Sequence, residues 1–223
     1  MFKIKICGIT TPADCEACIN AGADAVGLNF YTGSKRCVDL PTAREIVRNI
    51  GTSAASIGVF VNHPPEEVMV LHTELGLDFI QLHGDESAED IHRLNGLPLI
   101  KAVRCGVGGL SVPARQFLND ISSVIRGILV DASVPGEFGG TGQLVDWDCV
   151  RDLRENLADI PIVLAGGLTP ENVSRAIRHA MPDAVDVASG VETSPRQKDI
   201  PAVNSFVNAA RLAFSESEGR DQP

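Results

Sequence analysis

Short apolar runs alternate with longer amphipathic stretches along the whole chain. The runs KIKIC (3–7), DAVGLNF (24–30), SIGVFV (56–61), DFIQLH (78–83), PLIKAV (98–103), RGILVD (126–131), PIVLAG (161–166) and AVDVAS (184–189) read as strands. Stretches such as TPADCEACINAG and PPEEVMVLHTELG between them read as helices. In TPENVSRAIRHA, Thr169 is a candidate N-cap with Pro170 at the first helical position.

Alternating strands and helices predict a parallel sheet. The pattern alone suits an open doubly wound sheet or a closed barrel. A strand count of eight, a length of 223 residues and a helix after every strand favour the single-domain (β/α)8 barrel. No proline- or serine-rich linker divides the chain. One domain over residues 1–215 is expected, with residues 216–223 a frayed tail.

Composition narrows the function classes. At 44% hydrophobic residues the chain can build a substantial core. A net charge of −10 argues against general nucleic-acid binding, and 4% aromatics argue against stacked single strands. No apolar run approaches a membrane span, and MFKIKICGIT lacks the apolar segment and cleavage site of a signal peptide. The six cysteines (Cys7, Cys15, Cys18, Cys37, Cys105 and Cys149) are read as free thiols of a reducing cytosol, so the expected location is cytoplasmic.

In a barrel, chemistry sits at the C-terminal ends of the strands. Those ends carry Cys7, Gln81, His83, Asp131 and Ser189, and the loop after the second strand carries Ser34 and Arg36. Cys7 follows Lys5 at strand spacing, so the two share a face. Cys7 is read either as a small buried hydrophobe or as a thiol whose pKa a nearby ammonium lowers. Asp131 is read either as a cap for the next turn or as a carboxyl raised by partial burial and able to donate a proton. Arg36, taken alone, is a surface charge; in a cleft it can fork a carboxylate.

Gly166 and Gly167 lie between a strand and a helix start, and Ser189 and Gly190 occupy the matching place one strand later. Backbone amides there suit a phosphate. Gly139, Gly140, Thr141 and Gly142 raise a different question, because such backbone either turns a corner or closes over something. The strand parity also places Lys5 and Asp186 inside a closed barrel, where two lone charges are costly unless paired. That pair is expected to fix Lys5 beneath Cys7 and bias it towards thiolate. The single Cys15–Cys18 CxxC reads as helix packing, and His63, His72, His92 and His179 read as surface residues without metal-ligand spacing. No metal and no cofactor are expected.

The motifs KICGIT, GVFVN, QLHGDE, LVDASVPGEFGGTG, LAGGLTPENV and VDVASGVE, in this order from residue 3 to about residue 210, resemble the phosphoribosylanthranilate isomerase family. The resemblance implies a barrel and an Amadori rearrangement without metal or coenzyme. It implies Cys7 as general base, Asp131 as general acid, Arg36 on the anthranilate carboxylate, and Gly166, Gly167, Ser189 and Gly190 on the phosphate. Lys5, Gln81, His83 and Asp186 would support them. The Gly139–Gly142 stretch would belong to a flexible loop closing over the substrate. The implied partner is a phosphorylated sugar–anthranilate, with no nucleic acid or membrane, and the chain is expected to be a monomer or homodimer. Gln143 and Arg196 depart from the family's pattern, where many relatives have lysine and glycine. Indole-glycerol-phosphate synthase would share the glycine loops but show a lysine acid, and the related isomerase of histidine biosynthesis uses two aspartates. A binding module would need neither Cys7 nor Asp131.

Overall fold

The structure, a computed structural model, describes residues 1–105, 109–132, 146–157 and 159–218. Eight parallel strands close into a barrel in chain order. They are β1 (Ile4–Cys7), β2 (Ala25–Asn29), β3 (Ala55–Phe60), β4 (Phe79–Leu82), β5 (Leu99–Cys105), β6 (Ile125–Ala132), β7 (Ile162–Leu164) and β8 (Ala184–Val187). Each is followed by a helix: α1 (Pro12–Asn20), α2 (Leu40–Ile50), α3 (Pro65–Leu75), α4 (Ala88–Arg93), α5 (Val112–Ile121), α6 (Trp147–Asn156), α7 (Val173–Ala180) and α8 (Ile200–Glu218). The caps are local chemistry. Thr11 accepts from the Asp14 amide at 3.1 Å with Pro12 opening α1, and Asp39 accepts from the Thr42 amide at 2.9 Å at the start of α2.

Strand parity divides the molecule into two layers. Ile4, Ile6, Val26, Leu28, Ile128 and Val185 face the helices in the main core. Each fully buried aliphatic side chain there contributes about 1.5–3 kcal/mol. Alternate positions, among them Ala25, Ile57, Leu129 and Val163, fill the barrel interior. The interior set continues upward into polar residues, so the parity that packs the barrel also delivers side chains to its mouth.

One buried strut steadies that mouth. Lys101 Nζ donates to the carbonyls of Leu82 (3.2 Å) and Gly84 (2.8 Å) and to Glu86 Oε2 (2.7 Å). Glu86 Oε1 in turn accepts from the amides of Asn62 (3.0 Å) and Gly84 (2.9 Å). The loop after β4 that carries His83 is therefore tied from both sides. Burial opposes the Glu86 charge, but Lys101 and the Asn62 amide outweigh it and hold the carboxyl below its usual range. Burial pushes the Lys101 ammonium down, with Glu86 opposing.

Several expectations need correction. Helix α7 starts at Val173 with Asn172 at its cap, because the Asn172 side chain bonds the Thr169 amide at 2.8 Å and the Gly167 carbonyl at 2.9 Å; Thr169 and Pro170 precede the helix. Helix α8 runs to Glu218, and residues 219–223 of the tail expected to fray lie outside the described residues. A hairpin of β9 (Glu192–Ser194) and β10 (Gln197–Lys198) stands between β8 and α8. The cysteines are not all free: Cys105 and Cys149 form a disulfide with Cα atoms 6.7 Å apart, because the end of β5 and the first turn of α6 meet in space. Cys7, Cys15, Cys18 and Cys37 are free thiols. His63 and His72 are half-buried, not surface residues, and His63 packs edge-on against Phe60. No described helix is long and apolar enough to cross a membrane. Gly139, Gly140, Thr141, Gly142 and Gln143 lie outside the described residues.

Glu86→Gln is expected to destabilise the protein at neutral pH by about 3–5 kcal/mol, since it leaves Lys101 buried without its counter-charge. A carboxyl held below its unfolded pKa adds stability above that pKa and loses it as pH falls through the folded value. Urea midpoints at neutral and acid pH should therefore converge between wild type and variant on acidification. An equal gap at both pH values would contradict this.

Candidate active site

A cleft of about 730 Å³, its open mouth included, lies at the C-terminal end of the barrel. Cys7, Arg36, His83, Asp131, Asp186 and Gly190 are among its lining residues. Gln81, Gly166, Gly167 and Ser189 line it too, so the described site residues named from sequence converge there, with Lys5 beneath as a wholly buried side chain.

The floor is electrostatic. Lys5 and Asp186 are register partners across the β1–β8 seam, and Lys5 Nζ lies 3.0 Å from Asp186 Oδ2. Burial alone would push the Lys5 ammonium down; Asp186 and Cys7 together outweigh it and leave it raised. Burial also pushes the Cys7 thiol up, with Lys5 pulling down and Asp186 pushing up again. Lys5 thus biases Cys7 towards thiolate, but burial is the larger effect and the net shift is upward, not the lowering expected from the ammonium alone. Lys5 offsets the cost of burying a thiolate without removing it. Cys15 and Cys18, buried on α1, are pushed up to about 11 and about 12 by burial, as packed thiols are.

Across the mouth, β6 delivers Asp131, which is 7% exposed. Its Oδ1 accepts from the Ala132 amide at 2.8 Å, and its Oδ2 lies 3.1 Å from His83 Nε2. Gln81 Nε2 lies 2.7 Å from His83 Nδ1. With the Gln81 amide in this orientation, Nε2 of Gln81 donates to Nδ1, and the His83 Nε2–H donates to Asp131. The imidazole thus fixes one carboxylate oxygen.

Two glycines permit the close approaches of the cleft. A Cβ on Gly8, at φ +75°, would overlap the Arg36 side chain, and one on Gly190 would overlap the Leu168 carbonyl. The amides of Gly166, Gly167, Ser189 and Gly190 find no protein acceptor among the described residues. They form a donor-rich flank.

The opposite flank holds residues the sequence reading missed. Glu192 forks Arg36, with Oε1 2.9 Å from Nε and Oε2 2.6 Å from Nη2. Lys198 Nζ donates to Glu192 Oε1 (2.8 Å), to the Cys7 carbonyl (2.7 Å) and to the Ala188 carbonyl (3.3 Å). Arg36 is raised above its ordinary value chiefly by the Glu192 bond. Burial pushes the Glu192 carboxyl up, and Arg36 and Lys198 outweigh it, leaving it lowered. The available signal was opposite charges flanking the turn residues SPRQ, a hairpin pattern after the eighth strand. Among the described residues, no group of three or more His, Cys, Asp or Glu side chains could hold a metal ion.

Comparison with known proteins gives this geometry its context. The family model for N-(5'phosphoribosyl)anthranilate (PRA) isomerase matches residues 4–209. The chain belongs to this family. The N-(5'-phosphoribosyl)anthranilate isomerase of Myxococcus xanthus is 42% identical, over 94% of this chain and 96% of that one. The crystal structure of phosphoribosyl anthranilate isomerase from Thermotoga maritima superimposes with a TM-score of 0.81 at 36% identity, covering 95% of this chain and 100% of that one. A crystal structure of the same enzyme type in complex with reduced 1-(o-carboxyphenylamino)-1-deoxyribulose 5-phosphate matches with a TM-score of 0.78 at 35% identity, over 95% of this chain and 100% of that one. As a member of the PRA isomerase family, the chain is an isomerase of tryptophan biosynthesis built on a (β/α)8 barrel.

Because Lys5 pulls the Cys7 thiol down, Lys5→Met should push it higher still. The midpoint of the pH-dependent alkylation rate of Cys7, followed by mass spectrometry, should move to higher pH. A midpoint that stays put would remove Lys5 as its electrostatic neighbour.

Proposed function

We propose that the chain converts N-(5-phosphoribosyl)anthranilate to 1-(2-carboxyphenylamino)-1-deoxyribulose 5-phosphate, with Cys7 as general base and Asp131 as general acid. The observation that carries this reading is the placement of both groups in one cleft, between a flank of amide donors and a flank holding Arg36. Asp131 protonates the furanose ring oxygen while the anilino nitrogen's lone pair opens the ring to a Schiff base. Cys7 then removes the C2′ proton, giving an enolamine that tautomerises to the ketose. The Schiff base acidifies that carbon, and the proton passes to the thiolate form of Cys7, the form that the Lys5 ammonium favours against burial. His83, held by Gln81, keeps one Asp131 oxygen engaged and leaves the carboxyl oriented across the mouth.

The two ends of the substrate fit the two flanks. Gly166, Gly167, Ser189 and Gly190 offer amides to the phosphate. Arg36, on the other side, takes the anthranilate carboxylate. The reduced product analogue named in the solved relative carries both ends, which supports this assignment.

The test is turnover of freshly prepared N-(5-phosphoribosyl)anthranilate, followed by loss of its anthranilate-type fluorescence. Wild-type protein should consume it without added metal or coenzyme. Cys7→Ser and Asp131→Asn should each lower kcat by ~10²-fold or more, and Arg36→Ala should raise KM. Folded wild-type protein that leaves the fluorescence unchanged would overturn the assignment. Near-normal turnover in either kcat variant would remove that residue from its role.

A further inference from the structure

Arg36 is held from behind. Glu192 occupies the Nε–Nη2 edge of the guanidinium with bonds of 2.9, 3.1 and 2.6 Å. The other edge, Nη1 with the second hydrogen of Nη2, meets no acceptor among the described residues, and Arg36 lines the cleft. A planar guanidinium can fork one carboxylate on each of two edges. Glu192 is itself held: its side chain is 3% exposed and is bonded to Lys198, which also donates to the Cys7 carbonyl. One continuous chain of charged hydrogen bonds therefore links the backbone of Cys7 to Arg36.

The hairpin that carries Glu192 is latched to the loop that carries Arg36. At the turn between β9 and β10, Arg196 adopts φ +78°, a left-handed conformation that favours glycine. Its Nη1 donates to the carbonyls of Cys37 (3.0 Å) and Lys35 (3.4 Å), the chain neighbours of Arg36. Its own carbonyl accepts from Thr10 Oγ1 at 3.1 Å, in the loop after β1. A strained arginine kept at such a turn acts through what its side chain reaches.

We propose that Glu192 is a positioning residue that aims the free edge of Arg36 into the cleft. The β9–β10 hairpin, latched by Arg196, thereby sets affinity for the carboxylate end of the substrate relative to Cys7. This rests on the reading that Arg36 takes that carboxylate. Nothing in the arrangement touches the reacting carbons, so its effect belongs in KM more than in kcat.

Two variants and one altered substrate test it. Glu192→Gln should raise KM for N-(5-phosphoribosyl)anthranilate about tenfold, the scale of one charge-assisted hydrogen bond, with kcat within about twofold. Its KM for N-(5-phosphoribosyl)aniline, which lacks the carboxylate, should not move. The double variant Arg36→Ala/Glu192→Gln should be no worse than Arg36→Ala, because the two act as a unit. Arg196→Gly relieves the left-handed backbone and should leave Tm equal or higher, yet raise KM about threefold. A merely structural hairpin predicts equal changes for both substrates and additive effects; either result would overturn the proposal. If Arg36→Ala raises KM while Glu192→Gln and Arg196→Gly do not, this inference fails and the carboxylate assignment stands. If Arg36→Ala leaves KM unchanged, the carboxylate assignment falls, and the positioning role with it.

Discussion

The seam between β1 and β8 is the constraint on which everything else rests. Ile4 pairs with Val185, Lys5 with Asp186 and Ile6 with Val187, joining residues at opposite ends of the chain. Closure brings the Cys7 end of β1 beside the loop after β8, and only then does Lys198 reach the Cys7 carbonyl. It also decides the fate of two charges. Lys5 and Asp186 are interior by parity, and without the seam each would be buried alone, a state costly enough to unfold a marginal protein. With it, the pair becomes the floor of the cleft.

The floor and rim divide the work. Burial pushes the Cys7 thiol up and Lys5 pulls it down, so the floor decides how readily the sulfur becomes a thiolate. On the far side Asp131 stands at a strand end, and His83 fixes one of its carboxyl oxygens. The Lys101–Glu86 strut holds the loop bearing that histidine, so a buried ion pair outside the cleft helps to set the geometry inside it.

The barrel was legible because its strands are short apolar runs with a fixed alternation. That alternation also puts Lys5, Cys7 and Asp186 on the interior face. What escaped was set by contacts that periodicity does not encode. The β9–β10 hairpin is short and polar, and its Glu192 gains meaning only when Arg36, far away in sequence, lies against it. Lys101 sits one position off the interior parity and has a purpose only once Glu86 is beside it. The Cys105–Cys149 bond joins cysteines separated by 44 residues, beyond any local signal. Thr169 met the local rule for a cap, but the Asn172 side chain took its amide and moved the helix start. The sign of the Cys7 shift was missed because sequence shows the neighbouring ammonium and not the depth of burial that opposes it.

The central claim is that Cys7 and Asp131 face one sugar between a phosphate flank and a carboxylate flank. Its most direct test is a crystal structure of this protein bound to reduced 1-(o-carboxyphenylamino)-1-deoxyribulose 5-phosphate. The account predicts the phosphate against the Gly166, Gly167, Ser189 and Gly190 amides and the carboxylate on the free edge of Arg36. The Cys7 sulfur and the Asp131 carboxyl should then lie on either side of the ribulose chain, with sulfur about 3–3.5 Å from the C2 region. A ligand bound with its ends reversed, or with Cys7 turned away from that carbon, would contradict it.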